Sequence, residues 1–85
     1  MKCDKAIINA LVYALGVHDV DPTYRCYANF VRFGDLGGKW RIDYYTHGTI
    51  RFIANNFDLS VHCDHCSIPC CVALAAPHLR GEFTP

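Results

Sequence analysis

The stretch KWRIDYYTHGTIRFIA, residues 39–54, decides the fold of this chain. Apolar and polar residues alternate on both sides of Thr46-His47-Gly48, which is typical of two antiparallel strands joined by a short glycine-containing turn. One parity is apolar and is predicted to point into a core: Trp40, Ile42, Tyr44, Ile50 and Phe52. The other parity is mixed and is predicted to point outward: Arg41, Asp43, Tyr45, Arg51 and Ile53.

The segments on either side of this hairpin extend the sheet. TYRCYANFVRF is dense in aromatic and β-branched residues and predicts one strand over residues 23–33, with a helix capped by Asp21-Pro22 as the alternative. Its alternation assigns four residues to the core side: Tyr24, Cys26, Ala28 and Phe30. It assigns four others to the outer side: Arg25, Tyr27, Asn29 and Val31. After Asn55-Asn56, residues 57–62 predict a short last strand.

Two helices are predicted at the ends of the chain. Asp4 is a suitable N-cap for a helix that runs through Leu15, with Gly16 just past its end. Ser67 is a suitable N-cap for a second helix, which Pro77 is expected to kink or end. The prediction is a single α+β domain over residues 1–85, a small two-layer fold. In it an antiparallel meander of three to four strands has an N-terminal and a C-terminal helix packed on one face.

Composition limits the classes of partner. The 85 residues are 52% hydrophobic, so they predict a folded globule. Lys+Arg and Asp+Glu both number 8, and this balance lacks the basic excess of a nucleic-acid binder while it permits association with another protein or a second copy. No apolar run approaches the ~18 residues of a membrane span. The N-terminus lacks a clear signal peptide, so we expect a cytoplasmic protein without a membrane partner.

Cysteine and histidine are concentrated in HCDHCSIPCC, residues 62–71. Cys63 and Cys66 have the spacing of a zinc knuckle. Cys70 or Cys71 could supply a third ligand, and His65, His62 or Cys3 a fourth. Zinc is therefore a candidate cofactor, although a second ligand pair at a distance, which would make the pattern specific, is missing. The competing interpretation is that these cysteines are small apolar residues of a strand-to-helix joint.

A thiol-redox site is a further alternative for the same stretch. A helix N-terminus favours the thiolate, and Cys66, Cys70 and Cys71 lie near one. The order of strand, CDHC and proline-containing helix is similar to a thioredoxin-type active site over about fifteen residues. No strand is predicted after the helix, so the rest of that fold is missing.

The outward parity of the sheet is the better candidate for function. The carboxylates are scattered and no phosphate-binding glycine loop occurs, so nothing indicates catalysis. Tyr and Arg, which dominate interface energetics, recur on the outer side. The residues predicted to bind a partner are Arg25, Tyr27, Arg41, Asp43, Tyr45 and Arg51. The alternative is a solvated face with ordinary cross-strand pairs, such as Arg51 with Asp43.

The leading hypothesis is therefore a non-enzymatic binding module that occupies a surface on a larger protein or protein complex. By analogy of size and general character, it could be an inhibitor from a phage or mobile element, such as an anti-CRISPR protein. The alternatives are a zinc-stapled domain that binds nucleic acid or protein, and a small thiol-redox protein.

Overall fold

One helix, five antiparallel strands and a second helix follow one another along the chain. A computed structural model describes residues 4–35, 38–62 and 67–81. The elements are α1 Lys5–Val17, β1 Thr23–Cys26, β2 Phe30–Gly34, β3 Arg41–Tyr45, β4 Thr49–Ala54, β5 Phe57–His62 and α2 Ile68–Leu79. The strands form one sheet in the order β1-β2-β3-β4-β5. The predicted α+β fold is confirmed, with five strands rather than three to four.

The first predicted strand is wrong in one respect, because residues 23–33 form two strands. β1 and β2 pair as a hairpin around Ala28-Asn29, and the Tyr27 N–H donates to the Phe30 carbonyl at 2.8 Å. The non-glycine residues with positive φ in the described ranges are Asp19 and Asn56, so this loop contains none. Without a glycine or a left-handed residue, the loop lacks the usual sequence signal of a tight hairpin.

This turn changes which side chains of β2 face the core. Val31, predicted to point outward, is fully buried, and so is Phe33. Phe30, predicted to point inward, lies on the opposite side with Arg32, because β2 alternates iBiBi in burial. Tyr24 and Cys26 are opposite Phe33 and Val31 in the register, hence on the core side of the sheet as predicted, but both are exposed.

The alternation predicted for the central hairpin is confirmed. All five residues assigned inward are buried in the core: Trp40, Ile42, Tyr44, Ile50 and Phe52. The turn Thr46-His47-Gly48 closes with a hydrogen bond from the Gly48 N–H to the Tyr45 carbonyl at 2.9 Å. On β5, the parity that packs against the core is the apolar one: Phe57, Leu59 and Val61.

Helix α1 begins as predicted and ends later. The Asp4 carboxylate accepts a hydrogen bond from the Ala6 N–H at 2.9 Å, which is an N-cap. The helix continues past Gly16 to Val17, because the left-handed residue that ends it is Asp19, with φ 61°. The Val20 and Asp19 N–H groups donate to the Leu15 and Gly16 carbonyls, as in a Schellman motif, and Val20 and Leu15 are both buried.

Helix α2 does not end at Pro77 but continues to Leu79. A proline inside a helix removes one backbone hydrogen bond and is unfavourable. Burial of the apolar side of α2 offsets that loss, because Ala75, Ala76 and Leu79 lie in the core around Pro77.

Two glycine-to-alanine substitutions are expected to have opposite effects on stability. Gly48 has φ 101°, and an added Cβ would lie 2.6 Å from Cε1 of His62, so Gly48→Ala is expected to destabilise by about 1 kcal/mol or more. Gly16 lies within α1 and an added Cβ would meet nothing within 4 Å, so Gly16→Ala is expected to stabilise by about 0.5–1 kcal/mol. Urea unfolding of both variants measures the change in the free energy of unfolding. A change of the same sign in both variants would contradict the different backbone conformations of Gly48 and Gly16.

Candidate protein-binding face

The side of the sheet opposite the core has no helix packed on it in the described parts of the chain. We call this surface the open face. It consists of Tyr27 at the first turn and the outward parity of the five strands: Thr23, Arg25, Phe30, Arg32, Gly34, Arg41, Asp43, Tyr45, Thr49, Arg51, Ile53, Asp58, Ser60 and His62. Aromatic rings and arginines therefore occupy a surface that is supported by strands rather than by loops.

A buried carboxylate lies at the centre of the open face. Asp43 on the middle strand is only 1% exposed, although it points away from the core. Arg32 binds it through two contacts, Nε to Oδ1 at 2.9 Å and Nη2 to Oδ2 at 3.3 Å. This hydrogen bond raises the pKa of Arg32. A buried charge requires such pairing, because its desolvation is costly.

Arg41 covers the other side of the same carboxylate. Its Nε lies 3.2 Å from Oδ2 of Asp43, which is an ion-pair distance. That Nε is buried, but the contact does not have hydrogen-bond geometry. The Arg41 side chain as a whole is partly exposed.

Arg51 forms a different ion pair from the one predicted. Its Cα is paired with that of Asp43 in the register, as expected, but its guanidinium binds Asp58 on β5 at 3.0 Å and 2.7 Å. The carboxylate of Asp43 is already bound by Arg32 and Arg41, which explains why Arg51 binds Asp58 instead. The hydrogen bond from Arg51 lowers the pKa of Asp58, and the same bond raises the pKa of Arg51.

Four rings form a continuous row along one end of the open face. Tyr27 stacks on Phe30 with centroids 4.7 Å apart, and Phe30 lies 5.7 Å from Tyr45. Tyr45 in turn stacks on His47 at 5.5 Å. The Cζ of Arg32 lies 5.1 Å from the centroid of Phe30, so the aromatic row is connected to the ion pairs around Asp43.

The structure brings the predicted partner-binding residues to one surface. Six were predicted, and all lie on the open face as defined above: Arg25, Tyr27, Arg41, Asp43, Tyr45 and Arg51. Phe30, Arg32 and Asp58 were missed. The first two were missed because the single predicted strand placed them on the wrong parity. Asp58 could have been found, since it alternates with the apolar residues of β5.

The predicted zinc ligands are mostly not described. Cys63, His65 and Cys66 lie outside the described residues, and Cys70 is exposed at the start of α2. Within residues 4–35, 38–62 and 67–81, no three His, Cys, Asp or Glu side chains form a group that could hold a metal ion. Cys26 and Cys70 are exposed free thiols, and Cys71 packs partly against the core. The zinc and thiol-redox hypotheses stay predictions.

Comparisons of this chain with protein-family models, with curated proteins and with solved structures find no match. Among the described residues, neither helix is long and apolar enough to cross a membrane.

Two arginine substitutions are expected to differ in their cost to stability. Arg32→Ala leaves Arg41 as the one cation that contacts the buried Asp43 carboxylate in the described parts of the chain, and we expect a loss of about 2 kcal/mol. That figure is below the 3–5 kcal/mol of a fully buried pair because Arg32 is 41% exposed. Arg51→Ala removes a solvent-exposed pair with Asp58, which is 53% exposed, and is expected to cost clearly less.

Urea unfolding of Arg32→Ala and Arg51→Ala gives this comparison directly. Because each variant removes one arginine that binds an aspartate through two nitrogens, the two are matched in charge and in size. Equal losses of stability would show that the burial of Asp43 does not determine the strength of its ion pairs.

The pair of Arg51 with Asp58 also predicts a pH dependence. Because the pKa of Asp58 is lowered in the folded state, the pair stabilises the fold fully above the ordinary aspartate pKa of 3.8 and less as pH falls through the folded pKa. Carboxyl NMR titration is expected to show a pKa for Asp58 below 3.8 that returns toward it in Arg51→Ala. An unchanged titration in that variant would rule out the pair in solution.

Proposed function

We propose that this protein is a non-enzymatic binding module that acts by docking its open face on a larger protein. The observation that carries the proposal is the joined row of rings and arginines built around the buried Asp43. Tyr and Arg are enriched among the residues that contribute most to protein–protein affinity. Their support by strands and ion pairs lowers the entropy lost on binding.

The charge of the open face favours an acidic partner surface. Four arginines lie on it, namely Arg25, Arg32, Arg41 and Arg51. The aspartates on the same face are Asp43 and Asp58. The chain as a whole is neutral, so positive charge is concentrated here. Complementary potentials raise association rates and select among partners.

An open depression of about 530 Å³ lies at one end of this surface, lined in part by Arg32, Arg41 and Ile53. A depression of this kind can receive a side chain from the partner, and buried anchor residues contribute most to affinity. Its lining includes Arg32, Arg41 and Lys39 together with Asp35, so the excess of cationic side chains favours a carboxylate from the partner.

The arrangement of the rings favours protein over nucleic acid. Single-stranded nucleic acid binds by stacking its bases on accessible aromatic faces. Phe30 has Tyr27 stacked against it and the Arg32 guanidinium 5.1 Å from its centroid, and Tyr45 is stacked on His47. The two inner rings of the row are thus occupied by neighbours from the same chain. An inhibitor from a phage or mobile element would use such a surface to cover a site on its target.

Three alanine variants test the proposal: Tyr27→Ala, Arg41→Ala and Tyr45→Ala. Affinity capture from the native host with wild-type protein first identifies candidate partners. Binding of each candidate is then measured by calorimetry, and we expect each variant to weaken a true partner by tenfold or more, about 1.4 kcal/mol. Raised salt is expected to weaken binding further.

Tyr13→Ala is the matched control. Tyr13 is 76% exposed on α1, outside the open face, so its loss is expected to leave binding unchanged. Thermal unfolding of all four variants separates lost contacts from lost structure. Binding that resists the three open-face substitutions in folded protein would reject the proposal.

A further inference from the structure

Strand β1 is the most exposed element of the sheet. Among the described residues it is an edge strand whose one neighbour is β2, and all four of its residues are exposed. Every other strand carries buried or half-buried residues. An edge strand presents unpaired backbone groups, which can pair with another chain.

The register shows which backbone groups are available at this edge. The Tyr27 N–H donates to the Phe30 carbonyl, so the backbone of Tyr27 points toward β2. Backbone direction alternates along an antiparallel strand, so Arg25 also points toward β2. The N–H and C=O groups of Tyr24 and Cys26 therefore point away from the sheet. An added strand would hydrogen-bond to these two residues.

The Arg25 side chain determines which charge is favourable on an added strand. Arg25 lies directly opposite Arg32, and two like charges in that position are unfavourable. The carboxylate nearest to them in the register, Asp43, is bound by Arg32 and Arg41. A residue of an added strand opposite Arg25 would face it across a non-hydrogen-bonded pair, in which side chains are close. An acidic residue there relieves the Arg25–Arg32 repulsion.

A second copy of this chain fits the edge less well. Two copies of β1 use all their outward backbone groups only when Tyr24 of one pairs with Cys26 of the other. That register places Arg25 opposite Arg25, next to the two Arg32 side chains, and extends the repulsion to four cations.

We propose that the free edge of β1 accepts an extended segment of the partner as a sixth strand, with a Glu or Asp side chain opposite Arg25. This inference rests on the proposed binding function and specifies the chemistry of the partner. Backbone hydrogen bonds to Tyr24 and Cys26 supply affinity, and the carboxylate supplies specificity, as in other cases of strand addition. The new strand continues the open face past Arg25, so one partner can contact both.

NMR titration with two capped peptides, Thr-Val-Glu-Val-Thr and Thr-Val-Lys-Val-Thr, tests the inference. At millimolar concentration the Glu peptide is expected to shift the amide signals of Tyr24 and Cys26 and to protect these amides from hydrogen exchange. The amides of Arg25 and Tyr27 are expected to change less in both measurements. The Lys peptide is expected to bind about fivefold more weakly, and Arg25→Glu to reverse that preference.

Substitutions at Tyr24 separate backbone pairing from side-chain contact. Tyr24→Pro removes the outward N–H at an edge where proline is tolerated, so binding is expected to be lost. Tyr24→Ala keeps the N–H and is expected to retain most of the binding. Equal loss in both variants would overturn the backbone pairing.

Three other outcomes would also overturn the inference. The first is that neither peptide binds. The second is that the Glu peptide shifts the amide signals of Arg41 and Tyr45 instead of those of β1. The third is that sedimentation shows a dimer of the protein that Tyr24→Pro dissociates. The second leaves the open-face proposal standing. A native partner that is lost with Tyr24→Pro but kept with Tyr45→Ala would reject the open face and support the edge.

Discussion

The buried carboxylate of Asp43 is the constraint on which the open face depends. It lies on the middle strand of the sheet, away from the core and almost completely shielded from water. A carboxylate in such a position is stable only if cations and hydrogen bonds replace its lost hydration. Arg32 and Arg41 are therefore held over it, and long side chains that would otherwise sample many rotamers are fixed. Order at this surface thus follows from electrostatics, whereas order at the opposite surface follows from apolar packing.

The helical layer covers only part of the sheet. Helices α1 and α2 bury the apolar parity of β2 to β5, and they leave β1 uncovered on both sides. The sheet is consequently wider than its helical layer. A small domain has little core to spare, since a chain of this length buries only about 60% of the surface of its unfolded state. Placing the exposed strand at the edge keeps that core continuous, with Phe33 and Val31 of β2 as its margin.

Sequence patterns predicted the centre of the molecule better than its edge. The alternation in residues 39–54 identified every buried apolar residue of the central hairpin, because two strands with one apolar face leave a strong period of two. It did not predict the burial of Asp43 on the opposite side. The same rule failed at Ala28-Asn29, where a tight turn forms without glycine or positive φ. The end of α1 was misplaced for a related reason. The left-handed residue is Asp19, and Gly16, the more usual choice, is helical. The predicted pairing of Asp43 with Arg51 was wrong because the ion pairs depend on how far each side chain reaches across the sheet. The periodicity along one strand carries no information on that reach.

The alternation along β3 has a consequence for how such a protein can change over time. Ile42 and Tyr44 are fixed by the core, while Arg41, Asp43 and Tyr45 point the other way. Point substitutions can remodel one side of the strand without disturbing the other. Insertion or deletion of a single residue would rotate the rest of the strand and drive Asp43 into the apolar core. Of the outward residues of β3, Tyr45 can therefore vary without a cost to folding, whereas Asp43, its pairing with Arg32 and Arg41 and the spacing of the strand are constrained.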